Sequence, residues 1–195
     1  TISTSFIFNS DKSFTFTIDR RNLDDTMMAN QAGAALQRQI DEVVTPTVDK
    51  YRLSVMVANA GTKLEQTITS ENAYESFLDA GVELIEKKVP VSGRIAFVTP
   101  AYYKLIKLDR HFISYGDKAN EIAISGVVGY IDNTALIVAP SEYLPIGTNF
   151  MITHPVATLG PVKIAEYKTH NNPQGVSGWL CEGRVYYDAF VLKNK

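Results

Sequence analysis

Residues 22–44, NLDDTMMANQAGAALQRQIDEVV, constrain the fold of this chain more than any other stretch. Met28, Ala32, Ala35, Leu36, Ile40 and Val43 recur at helical spacing and form one apolar stripe. Asn22 is suited to the N-cap, and Asp24 and Asp25 follow in the first turn, where the helix dipole favours acids. At 1.5 Å per residue, roughly 22 residues make a rod about 33 Å long. A rod with a single apolar stripe needs one packing partner along its length. Thr45-Pro46 is expected to break this helix, or to restart it with Pro at the first helical position. TVDKYRLSVMVANAG then continues helically and stops at Gly61.

The segment before the rod reads as a β-hairpin. TSFIF and SFTFTID are short β-prone runs, and Asn9, Ser10 and Asp11 supply turn chemistry between them. Phe14, Phe16 and Ile18 share one face; Ser13, Thr15 and Thr17 share the other. A lone two-stranded ribbon is marginal in water, so this one must lie on another element of its own subunit or of a neighbour.

Beyond Gly61 helices and strands intermingle. SENAYESFLDAGVELIEKK predicts an amphipathic helix with Tyr74, Phe77, Leu78, Leu84 and Ile85 on one side. GRIAFVT predicts a strand, Thr99-Pro100 opens the helix PAYYKLIKLD, and RHFISYGDKANE reads as a surface loop. Two strands flank the turn Asp132-Asn133, and the last fifty residues are mostly strand and loop, with HNNPQGVSG as the clearest turn cluster. The layout is α+β.

Composition excludes several classes. With 19 basic against 21 acidic residues there is no basic face for a phosphate backbone or an anionic membrane. Apolar runs such as ALIVA are too short to span a bilayer. A single cysteine rules out an intrachain disulfide and suits a reducing compartment.

GWLCEGRVYYDAF, residues 178–190, is the stretch most like an active site, since it holds the only Trp and the only Cys. By alternation Cys181 shares an apolar face with Trp179, Val185, Tyr187, Ala189 and Val191, where a thiol behaves as a small hydrophobe. Glu182, Arg184 and Asp188 fall on the opposite face, a pattern that fits ion pairs or an interface better than an acid/base dyad. His111, His154 and His170 lack metal-ligand spacing, and no phosphate-binding glycine loop or nucleophile elbow is present. No catalytic residue, cofactor site or metal site is predicted.

Four strings in order, FTFTIDRRNLDDTMMANQAGAALQRQIDEVVTPTVDKYRL, GRIAFVTPAYYKLIK, GVVGYIDNTALIVAPSEYLP and GWLCEGRVYYDAFVLKNK, resemble the major capsid proteins of tailed bacteriophages and prophages with the HK97-type fold. The resemblance covers about residue 5 to the end. It implies an α+β capsid fold with an extended N-terminal hairpin (1–20), a peripheral domain of spine helix and C-terminal strands (21–61 and 151–195), and an axial domain (62–150).

The implied function is structural: self-assembly through hexamers and pentamers into an icosahedral shell around double-stranded DNA, held without sequence reading. Portal, scaffolding or maturation proteins are the implied partners, and the implied location is the virion, assembled in the host cytoplasm. Interface candidates are Phe6, Phe8, Lys12, Phe14 and Phe16 in the hairpin; Arg20, Arg21 and Asp24 at the helix start; Tyr115, Asp117 and Lys118 in the axial loop; and Glu182, Arg184 and Asp188 on the last strand. Family members carry an N-terminal arm ahead of the hairpin, so the resemblance implies a truncated form. Some relatives crosslink a loop lysine to a neighbour's asparagine; Lys12 is the lysine at the hairpin turn, and no asparagine partner is assignable. The alternatives are an encapsulin-like shell around cargo enzymes, a thiol enzyme using Cys181 with a histidine, and a nucleic-acid-binding module.

Overall fold

The computed structural model describes residues 10–19, 31–109 and 127–192. In chain order these are strand β1 (Ser10–Asp19), helix α1 (Gln31–Gln39), a π-helical turn (Ile40–Val44), α2 (Thr45–Ala58), α3 (Ala73–Glu86), β2 (Ile95–Val98), α4 (Pro100–Leu108), β3 (Val127–Ile131) and β4 (Thr134–Val138). A 3₁₀ turn (Ser141–Tyr143) follows, then β5 (Phe150–Thr153), β6 (Thr158–Leu159), β7 (Val162–Asn171), β8 (Gly178–Tyr187) and β9 (Phe190–Val191).

The chain divides into two compact units: Thr1–Arg52 with Gly160–Ala189, and Leu53–Leu159 with Phe190–Lys195. The first is built on an antiparallel sheet in the order β1-β8-β7. β1, the run that needed a partner, pairs with β8 along its whole length, from Ser10 opposite Tyr187 to Asp19 opposite Gly178. That pairing carries the strand through Ser10–Lys12. Lys12 is therefore the third residue of a strand opposite Val185, and not part of a hairpin turn.

Pro46 neither breaks nor restarts the helix. Thr45 is helical (φ −58°, ψ −50°), and its N–H donates to the Ile40 carbonyl, five residues back. The wider π-turn accommodates a proline ring that would clash with the i−4 carbonyl of a regular helix. Thr47 Oγ1 donates to the Val43 carbonyl at 2.6 Å. The extra residue also shifts the apolar stripe. Val43, expected on it, is 48% exposed, and Val44 takes its place with Tyr51 around the buried Val48, Val185 and Tyr187.

The second unit packs α3 and α4 on a four-stranded sheet, β3-β4-β2-β5, with β2 and β4 parallel. Two local signals operate as read. Thr99 caps α4, its hydroxyl accepting from the Tyr102 N–H at 3.3 Å, with Pro100 at the first helical position. Asp132 (φ 46°) and Asn133 (φ 60°) make the two-residue turn between β3 and β4, where both central residues need left-handed backbone. Phe77, Tyr102, Ile106 and Leu136 are buried in this core, and the Phe150 ring stacks on Tyr102 at 4.7 Å. Ile85, expected on the packed side of α3, is 48% exposed.

Candidate subunit interface

The β1-β8-β7 sheet has two chemically distinct faces. On the inner one Cys181, Val185 and Tyr187 are buried, and Phe14, Phe16 and Ile18 are half-buried. Phe14 and Phe16 stack at 6.2 Å, and Phe14 reaches across β8 to Tyr167 at the same centroid distance. Both phenylalanines thus pack within their own subunit.

The outer face is polar and exposed, with ion pairs crossing the strands. Arg184 of β8 grips Asp11 of β1 through both oxygens, Nε to Oδ1 at 3.0 Å and Nη2 to Oδ2 at 2.5 Å. This two-pronged bond lowers the Asp11 carboxyl pKa and raises that of Arg184. His170 Nε2 of β7 lies 2.9 Å from Glu182 Oε1 of β8, and within β7 Lys168 Nζ lies 3.5 Å from Glu166. Exposed pairs of this kind add little to stability, but they set the charge pattern a neighbouring surface would meet.

Asp188 does not belong to that face. β8 ends at Tyr187, and the next carboxylate turns inward, 2% exposed. It accepts from the Tyr51 hydroxyl at 2.8 Å and from the Ala189 N–H at 2.7 Å. The bond to Asp188 is the main reason the Tyr51 hydroxyl holds its proton more tightly than usual. Tyr51 escaped the sequence reading, although its helical spacing from Val44 and Val48 was a usable signal. Of the other interface candidates, Lys12, Glu182 and Arg184 lie on the described sheet; Phe6, Phe8, Arg20, Arg21, Asp24, Tyr115, Asp117 and Lys118 lie outside the described residues.

The thiol of Cys181 is fully buried, 3.9 Å from the Ala32 carbonyl, and burial raises its pKa. A nucleophilic cysteine needs the opposite on both counts. Alkylation of the native chain by iodoacetamide at neutral pH is expected to be at least about a hundredfold slower than in 6 M guanidinium chloride, since it waits for opening. Comparable rates in the two states would place the thiol at the surface. Among the described residues no group of three or more His, Cys, Asp or Glu side chains could hold a metal ion. No described helix is long and apolar enough to cross a membrane.

No family model and no curated protein matches the sequence. Solved structures do match. The capsid structure of Cyanophage P-SCSP1u superposes with a TM-score of 0.62 at 12% identity, over 100% of this chain and 75% of that one. The mature capsid of bacteriophage PhiM1 gives 0.57 at 11% identity, over 97% and 69%. The chain has an α+β capsid fold. A virus-like particle from Pyrococcus furiosus shares the capsid fold too, with a TM-score of 0.55 at 12% identity over 93% and 72% of the two chains.

Proposed function

We propose that this chain is a shell subunit, the major capsid protein of a tailed phage or prophage, whose copies self-assemble into an icosahedral head around double-stranded DNA. Its capsid fold, spanning nearly the whole chain, carries the reading. A closed shell needs no strong single contact, because each modest interface is repeated around every symmetry axis. In this reading the β1-β8-β7 unit belongs to the peripheral domain (21–61 and 151–195), with β1 contributed by the hairpin (1–20), and residues 62–150 form the axial domain. The exposed Arg184–Asp11 and His170–Glu182 face meets a neighbouring subunit, while Lys12, opposite Val185, stands on the other face of the sheet. Portal and scaffolding or maturation proteins complete the head.

One observation favours a second reading, a nanocompartment shell of the encapsulin type: the match to the Pyrococcus furiosus particle is almost as good. What the particles enclose distinguishes the two. Nuclease-protected DNA supports the phage head, and protein cargo without DNA supports the compartment.

The test is assembly of the full gene product, alone and with co-expressed scaffold, followed by sedimentation velocity and negative-stain electron microscopy. Capsomers, sheets or shells are expected. Arg184→Glu should keep the monomer's circular dichroism while shifting the population toward single subunits. Uniform monomers from the unaltered protein under every condition would overturn the proposal.

A further inference from the structure

His154 follows directly on β5, half-buried, and both of its ring nitrogens meet backbone. Nε2 lies 3.0 Å from the Ser92 carbonyl oxygen, and Nδ1 lies 3.2 Å from the Val156 nitrogen. A carbonyl can only accept and a backbone N–H can only donate. Nε2 therefore carries the proton, and Nδ1 presents its lone pair to the Val156 N–H. These two contacts specify one tautomer of the neutral ring. A second proton would put an N–H at Nδ1 against the N–H of Val156, donor facing donor.

The bond matters because of what the turn carries. The Ala157 N–H donates to the His154 carbonyl at 2.9 Å, closing a four-residue turn with Pro155 in its second position. The Ala157 carbonyl in turn accepts from the Leu192 N–H at 2.9 Å, where β6 meets β9. β6 and β9 are two residues each and pair with each other alone among the described strands. A ribbon that short does not hold itself. Ring, turn and β9 thus form one run of hydrogen bonds.

The surroundings offer a charged ring nothing in return. The turn before β2 presents the Ser92 carbonyl and Gly93, and α2 and β9 contribute Met56 and Val191 to the cavity wall that His154 shares. The end of α3 contributes Lys87, the one other charged or titratable side chain on that wall among the described residues. It is a cation, bonded to the Gly61 carbonyl and the Thr62 hydroxyl. Among the described residues the histidine paired with a carboxylate is His170, through Glu182, and not His154.

We propose that His154 is a proton-operated latch. Neutral, the ring holds the 154–157 turn and, through it, β9; doubly protonated, it lets both go. Imidazole is the side chain suited to this, since it changes charge between about pH 8 and about pH 5. The latch is closed at the upper end of that range and opens as the pH falls. Turn and β9 also wall a mainly apolar cavity of about 280 Å³ backed by Met56, Leu84 and Met151, which release exposes to solvent. The inference does not depend on the shell reading.

The test uses the unassembled, ¹⁵N-labelled chain at about pH 8 and about pH 5. At the higher pH the imidazole nitrogen shifts of His154 should report the Nε2–H tautomer. On acidification the amide protection factors of Val156 and Leu192 should fall at least about fivefold, the equivalent of one lost hydrogen bond. Those of Thr99 and Ala135, bonded to the Asn149 and Arg94 carbonyls in the same unit, should hold. His154→Asn supplies an acceptor for the Val156 N–H, as in an Asx-turn, and does not titrate. Its protection factors should therefore ignore the pH change. The Nδ1–H tautomer at about pH 8, or a Leu192 amide indifferent to pH in the unaltered chain, would overturn the proposal. So would an equal fall in His154→Asn, because it would assign the effect to another group.

Discussion

Arg94→Ala is expected to lower the unfolding free energy of the unassembled chain by about 3 kcal/mol, the scale for removing one partner from a buried charged network. Arg94 is 2% exposed, and its guanidinium is held by carbonyls. Nη2 donates to Val89 at 2.7 Å, Nε to Pro90 at 2.8 Å and Nη1 to Gly81 at 3.4 Å. These carbonyls surround the C-terminal end of α3, where the helix dipole favours a cation. The end itself is a Schellman turn, with Val89 N–H donating to Leu84 and Lys88 N–H to Ile85. Lys88 sits there at φ 59°, a position that glycine fills at no steric cost, so the turn carries local strain that the arginine clamp offsets.

Alanine would remove all three donated hydrogen bonds and leave a cavity where the buried side chain stood. Arg94→Lys keeps the charge but cannot span all three acceptors, and should cost about half as much. The measurement is the urea midpoint at constant m-value. A loss under about 1 kcal/mol for alanine would show that water replaces the guanidinium without penalty, against the clamp.

Gly183→Val should destabilise the same chain by about 2–3 kcal/mol, the upper range for overpacking. Gly183 is the central residue of the central strand of its sheet, opposite Phe14 on β1 and Tyr167 on β7. Both rings close over it. A β-carbon there would stand 2.5 Å from Phe14 ring atoms and 2.8 Å from Tyr167. Neither ring can give way toward the other, since each occupies the space the second would need.

The strain should fall on β1, the edge strand, so amide exchange across residues 10–19 should accelerate more than across α3 or α4. Gly183→Ala combined with Phe14→Ala should cost less than the two single changes added together, because the second removes the clash made by the first. Strict additivity would mean the ring and the glycine do not share that space. If β1 loosens, the Asp11–Arg184 pair goes with it, which links this packing position to the face proposed to meet a neighbour.

Much of the fold was legible where the responsible atoms are close in the chain. The Thr99-Pro100 cap, the Asp132-Asn133 turn and the apolar side of α3 at Phe77 each depend on interactions within four residues or one turn. The alternation that puts Cys181 on a buried face is local in the same sense, and it turned a suspected active site into core. The order of the segments was enough to suggest a capsid fold. The interface candidates were less legible: Glu182, half-buried, and Arg184, exposed, lie on the outer face, while Asp188 lies beyond the last residue of the strand, where alternation no longer applies.

What the local chain could not specify depended on partners far away in it. Asp188 is buried because Tyr51, 137 residues distant, donates to it. The helix runs through Pro46 because one π-turn widens the backbone, and that extra residue brings Val44 to the strand β8 core in place of Val43. β1 extends through an apparent turn because β8 offers it a full-length edge. β5 finds its place through its register with β2, more than fifty residues away. Propensity, capping and alternation act over a few residues and so are written in the sequence. Burial, register and unpaired edges are properties of which distant surfaces meet, and they come into being when the chain packs.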